Sequence, residues 1–149
     1  MTLTYKKGDL LDDDADILVN PVNCVGVMGA GLAKQFKERW PAYFTEYQQL
    51  CEENVIKPGV PTLHQRPDES NLLICSFPTK SHWKLPSNLI MVHKGLQALS
   101  DYIDGTDWEG SIAFPKLGCG LGGLNWSDVN KLIEIFESAH PELDIRVYA

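Results

Sequence analysis

Short apolar runs, each followed by a stretch of helical period, are what most constrain this chain. "DILVN", "NLLICSF" and "SIAFP" pack apolar residues together with little polar alternation, and longer segments with an apolar residue every three or four positions separate them. A strand that is apolar on both faces needs cover on both. Strand-then-helix order supplies that cover by laying helices on either side of a largely parallel sheet. The expected architecture is one compact α/β domain over residues 1–149: a three-layer α/β/α sandwich around a mixed, largely parallel sheet.

The remaining elements fit that plan. "LTYKKG" and "LDIRVYA" read as the first and last strands, and "VPTLH" as a strand divided from "NLLICSF" by the turn-like "RPDES". One helix is expected over 28–40, with Met28, Leu32, Ala33, Phe36 and Trp40 on its apolar face. Pro41 opens a second, carrying Tyr43, Tyr47, Leu50 and Cys51. A third starts from an N-cap at Ser87, with Leu89, Val92, Leu96, Leu99 and Ile103 along one stripe. Asn125 caps a fourth, whose face is Val129, Leu132, Ile133 and Phe136. There is no internal repeat and no linker.

Charge and cysteine content narrow the function. Thirteen Lys and Arg against twenty Asp and Glu give 13 − 20 = −7, the wrong sign for a protein that grips a long phosphate backbone. The run Asp12-Asp13-Asp14 would repel one. Any nucleic acid must therefore be met locally, over a few nucleotides, although backbone amides can hold a small anion whatever the net charge. Cys24, Cys51, Cys75 and Cys119 form no CxxC and no His-paired spacing, so neither bound metal nor a disulfide framework is expected. Cys24 and Cys119 lie in glycine loops, but small half-buried side chains explain them better than reactive thiols. The N-terminus lacks the apolar core of a signal peptide, and no run is long enough to cross a membrane. A cytoplasmic monomer without membrane contact is expected.

In open α/β sheets ligands bind beyond the carboxyl ends of the strands. Three loops take that place: "NPVNCVGVMGAGLA", "PTKSHW" and "PKLGCGLGGLNW". Neither glycine loop fits GxGxxG or GxxxxGK. Two such loops, each running from a strand toward a helix, are a stronger signal than one. Glycine lets backbone N–H groups approach a diphosphate, and two facing loops would grip it from both sides.

These residues resemble a macrodomain, the fold that binds ADP-ribose. The likeness rests on "KGDLL" and "DADILVNPVNCVGVMGAGLAKQF" (within residues 7–36) and "FPKLGCGLGGLNW" (114–126), and covers essentially the whole chain. The intervening "SFPTKSHW" is similar to the branch that contains the DarG antitoxins, which remove ADP-ribose from thymidine in DNA modified by a DarT-type toxin. The same branch is similar to glycohydrolases acting on protein. The resemblance implies that Asp9, beside Leu10, accepts a hydrogen bond from the adenine amino group. It implies that Asn20 and Asn23 lie near the distal ribose, although an Asn in such a turn also serves as an Asx-turn former. Gly29, Ala30, Gly31 and Leu32 match the first ligand loop. Gly118, Cys119, Gly120, Leu121, Gly122 and Gly123 match the second, and Thr79 adjoins the site. ADP-ribose is then ligand or product, no cofactor is needed, and ADP-ribosylated single-stranded DNA is the expected substrate.

The resemblance also makes Lys80 the catalytic residue. Taken alone, a loop lysine is a solvated charge. An ordinary lysine has a pKa of about 10.4 and is a poor base, so flanking by Phe77 and Trp83 would be one route to a neutral amine. A neutral amine takes a proton or attacks the anomeric carbon; a cationic one protonates a leaving group or holds the phosphates. Related protein glycohydrolases pair this lysine with an Asp in the second glycine loop, where this chain has Gly122. The absence favours the DNA-type substrate. His82 and Trp83 read as a wall for ribose or base, or simply as loop residues. The competing expectations are a non-catalytic ADP-ribose reader using the same loops and a glycohydrolase acting on ADP-ribosylated protein.

Overall fold

A computed structural model describes residues 2–149. Six strands form one sheet in the order β1-β6-β5-β2-β4-β3, with β1 Thr2–Lys6, β2 Ile17–Val22, β3 Thr62–Arg66, β4 Glu69–Pro78, β5 Ser111–Pro115 and β6 Asp144–Tyr148. Every neighbouring pair is parallel except β3–β4, which the 67–68 turn makes antiparallel. The helices are α1 Gly31–Arg39, α2 Pro41–Glu52, α3 Leu89–Thr106 and α4 Trp126–Ala139. The sheet is thus mixed and largely parallel, as the apolar runs imply.

Alternation along β2 sorts the core into two layers. Ile17 and Val19 face α3 and α4, where they join Phe77, Leu96, Phe114 and Ile133. Leu18 faces α1 and α2 with Ile74, Phe36 and Tyr47. Among the described residues no helix is long and apolar enough to cross a membrane.

Three local expectations need correction. The first helix begins at Gly31 rather than at Met28. Gly31 has φ +60°, which a helix cannot continue backward through, and Met28 is buried in the loop before it. Ser87 is not the cap of α3: Asn88 is, its side chain accepting from the Ile90 N–H at 2.8 Å, while Ser87 turns inward. Leu89 lies on the exposed side of α3's first turn, and the buried stripe starts at Val92. The cap at Asn125 is as expected, accepting from the Ser127 N–H at 2.9 Å.

Candidate functional site

Because β1, β6, β5, β2 and β4 run the same way, their carboxyl ends share one edge of the sheet. Asp9 follows β1, the first glycine loop follows β2, the lysine loop follows β4, and the second glycine loop follows β5. All the expected site segments therefore meet at one edge. At its β1–β6 end a shallow cleft of about 320 Å³ is lined by Gly8, Asp9, Leu10, Leu32, Pro115 and Tyr148. Pro115 and Tyr148, the last residues of β5 and β6, were not singled out from sequence. Their positions at the ends of strands were the available signal. Asp9 caps a 3-10 turn over Leu10–Asp12, accepting from the Leu11 N–H at 3.0 Å, and stays exposed.

Below this end the acidic run is paired off. Asp13 is buried and accepts from Tyr148, Arg146, Lys6 and the Ala15 N–H. Burial pushes its carboxyl up, and these donors together outweigh burial and hold it below the ordinary carboxylate value. Asp12 pairs with Arg39 and Asp14 with Arg146.

The first glycine loop is held from below by α2. Asn23 accepts on Oδ1 from the N–H groups of Val25 and Val27 and from the Tyr47 hydroxyl, and donates through Nδ2 to the Val27 carbonyl. Tyr47 also reaches the Asn23 carbonyl at 2.8 Å, and Gln48 donates to the Gly26 carbonyl at 3.1 Å. The sequence shows Tyr43 and Tyr47 only as apolar, but their hydroxyls organise the loop. Asn20 lies wholly inside the core. Its Nδ2 donates to Tyr43, and a chain continues through Ser76 and His64 to Glu46. Burial lowers the His64 pKa despite Glu46, so the neutral ring accepts from Ser76 and donates to the carboxylate.

At the mouth of this loop Ala30 occupies the cap position of α1 with no side-chain oxygen to offer. Among the described residues the N–H groups of Gly31, Leu32 and Ala33 have no hydrogen-bond partner. The helix end is thus open to an anion. The α4 end is instead closed by Asn125. The second loop offers turn amides, those of Gly120, Leu121 and Gly122, which are likewise unpartnered among the described residues. The loops face each other closely enough that a Cβ on Gly31 would touch Leu121.

The lysine loop is pinned to both. Its two ends close on each other: the Asn88 N–H donates to the Thr79 carbonyl at 2.8 Å, and Ser87 Oγ to Thr79 Oγ1 at 3.2 Å. Toward the first glycine loop, the Cys24 N–H donates to the Ser81 carbonyl at 3.1 Å. Toward the second, the Ser87 N–H donates to the Gly122 carbonyl at 2.9 Å. Gly122 has no room for a side chain: a Cβ there would overlap Ser87 Oγ and come within 2.5 Å of the Gly118 carbonyl. The missing aspartate is thus built into the packing. Lys80 is half-buried, and among the described residues its amine has no hydrogen-bond or ion-pair partner. Phe77 does not flank it as expected, because its ring is fully buried against Gly95 of α3. His82 and Trp83 stack at 5.4 Å between centroids, with Trp83 half exposed.

The thiols are chemically quiet. Burial, with a smaller contribution from Cys51, pushes Cys24 up to about 11, and burial raises Cys119 against the opposing charge of Lys116.

The Macro domain family model matches residues 19–133 of this chain. The chain belongs to the Macro domain family. This macro domain is 41% identical over 150 residues to a DNA ADP-ribosyl glycohydrolase of Mycobacterium tuberculosis, covering 98% of this chain and 42% of that protein. It superposes on the macrodomain of M. tuberculosis DarG with a TM-score of 0.92 and 40% identity, over 99% of this chain and 97% of that one. A Thermosipho africanus DarTG structure in complex with ADP-ribose matches at TM-score 0.89 and 32% identity, over 98% of this chain and 41% of that one. The chain thus spans less than half the length of the curated M. tuberculosis relative.

Proposed function

We propose that this macro domain binds ADP-ribose along the carboxyl edge of its sheet and releases it by hydrolysis from modified nucleic acid, with thymidine-linked ADP-ribose in DNA as the substrate. One observation carries this reading: a half-buried lysine with a free amine sits on a loop fastened to both glycine loops. The order of strands supports one pose. Adenine occupies the Asp9–Leu32–Tyr148 cleft over β1, β6 and β5, and the diphosphate lies between the free amides of the two glycine loops. The distal ribose reaches Lys80 at β4. From β6 to β4 is three strand spacings, about 14 Å, a span suited to an extended diphosphate-linked ligand.

The reaction breaks the bond between the anomeric carbon and the base. Water supplies hydroxide to the carbon and a proton to the base, so no redox cofactor is required. Residues 17–37, 70–100 and 110–127, which contain the three loops, include no Asp or Glu. Lys80 then acts without help from a loop carboxylate, and His82 is the only other acid–base side chain in "PTKSHW". The names of the relatives support the same substrate, and a nucleic-acid substrate and the absence of a spanning helix among the described residues fit work in the cytoplasm, as a reversal of DarT-type damage.

Lys80→Ala is expected to lower release of ADP-ribose from modified single-stranded DNA by at least about a hundredfold, the scale of losing a positioned acid or base. Calorimetry should still detect ADP-ribose binding by this variant. Wild-type binding without release would make the domain a reader, and equal turnover of ADP-ribosylated protein would end the DNA preference. A rate that rises and then levels as pH increases assigns the neutral amine; one that falls assigns the ammonium.

A further inference from the structure

The tip of the lysine loop carries more apolar surface than a surface turn needs. Trp83 and Leu85 are each 50% exposed, and Ile90 on the adjoining turn of α3 is 63% exposed. Clustered exposure of this kind marks a contact surface. It is also ordered. His82 stacks on Trp83, the Lys84 amine lies 5.1 Å from the indole centroid, and the His82 ring and carbonyl accept from the N–H groups of Lys84 and Leu85. The base of the loop is closed by the Thr79–Asn88 bond, so the tip is presented from a fixed frame.

Its electrostatics point to one kind of occupant. In a chain of net charge −7, residues 70–100 hold Lys80, Lys84 and Lys94 and no acid. A polyanion passing over this segment meets only positive or neutral groups, whereas the acids of the β1 side lie at the opposite end of the site edge. A half-exposed indole with a lysine amine over its ring suits unstacked bases on a phosphate strand, a base taking the place of the amine as the amine turns to a phosphate. Trp83 is three residues from Lys80, so no more than about 11 Å of chain separates them. That is the range of the nucleotide next to the one being processed.

We propose that residues 82–85, with the first turn of α3, form a platform for single-stranded nucleic acid, on which Trp83 stacks a base flanking the modified nucleotide and Lys84 meets a phosphate. This rests on the nucleic-acid reading of the site above. It specifies the substrate further: a modified nucleotide within a strand, held by its neighbours as well as by its ADP-ribose.

The test uses a fluorescein-labelled unmodified single-stranded 12-mer, with anisotropy at low salt, so that binding is read without catalysis. The wild type is expected to bind it in preference to the same sequence as a duplex. Trp83→Ala should weaken binding about 5- to 160-fold, the range for one lost base stack, and Trp83→Phe should recover most of it. Lys84→Glu should also weaken binding and flatten its salt dependence. Thermal melting of each variant checks that the fold is intact. The platform is overturned by equal affinity of wild type and Trp83→Ala for the 12-mer, by a matching fall in affinity for free ADP-ribose, which would make Trp83 a ribose wall, or by a wild-type dimer that Trp83→Ala dissociates. If the platform binds as expected but nothing is released from ADP-ribosylated DNA, the hydrolase reading fails and the platform stands. If ADP-ribosylated thymidine and an ADP-ribosylated 12-mer are released with the same KM, the platform fails and the hydrolase stands.

Discussion

The two glycine loops look alike in sequence, yet different forces hold them. The first is fixed by side chains that reach up from α2: Tyr47, Gln48 and, within the loop, Asn23. The second is fixed by its own backbone, through bonds from the Leu124 N–H to Gly118 and the Gly123 N–H to Gly120, and by the absence of side-chain atoms where Ser87 packs. One loop is ordered by polar groups that are present, the other by a methyl group that is missing. Similar glycine-rich sequence therefore does not mean equal tolerance to change.

The second loop should break hardest. Gly122→Asp places atoms where Ser87 and the Gly118 carbonyl already are, and should cost about 1–3 kcal/mol with at least tenfold weaker ADP-ribose binding. Adding Ser87→Gly relieves one of the two clashes and should restore only part of the loss. Full recovery would show that the Gly118 carbonyl yields easily and that the contrast between the loops is overstated.

Tyr47→Phe, which deletes the donor to Asn23, should cost less, about 1–2 kcal/mol in denaturant unfolding. Its clearer mark is faster hydrogen exchange at the Val25 and Val27 amides, with the second loop unaffected. Uniform acceleration in both loops would mean that they are coupled rather than separately held.

The smallest effect concerns the loop thiols. With a pKa of about 11, Cys24 has about one thiolate in a thousand at pH 8, so iodoacetamide should label it roughly a hundredfold more slowly than an unshifted cysteine. Cys119, shifted in the same direction but less strongly, should label first. Because folding raises these thiols, the unfolded chain loses its protons first as pH climbs past about 8.5, and stability should fall from there upward. Rapid labelling of Cys24 at pH 8, followed by mass spectrometry, would contradict its burial.

Much of this is legible in the amino-acid sequence. All six strands could be located in the sequence, and the apolar runs of β2, β4 and β5 implied a largely parallel sheet, because a strand covered on both faces carries apolar residues without alternation. Asn125 was legible as a cap, and its Oδ1 accepts from both the N–H and the hydroxyl of Ser127. Ser87 was misread because two good capping residues stand together at 87 and 88, and only the tertiary contact with Thr79 decides between them. Lys80, Gly31 and the second glycine loop could be located from their order along the chain. The fastening of the loops could not. Tyr47 and Tyr43 counted as apolar in the helical stripe, and their hydroxyl partners lie twenty or more residues away. Likewise Tyr148 and Pro115 enter the site only once β6 and β5 are known to lie between β1 and β2.

One contact deep in the core brings α3 close against β4 beneath the lysine loop. Gly95 lies seven residues along α3 from Asn88, about 10 Å, and the Phe77 ring fills the space its Cβ would take. Phe77 is also the strand residue just before the lysine loop, so strand and helix meet there at the closest spacing the chain allows. A single added methyl at Gly95 would act as a wedge between them. It would tilt the start of α3 away from the sheet and draw Ser87 off Gly122, opening the jaws of the site from a point that touches no ligand.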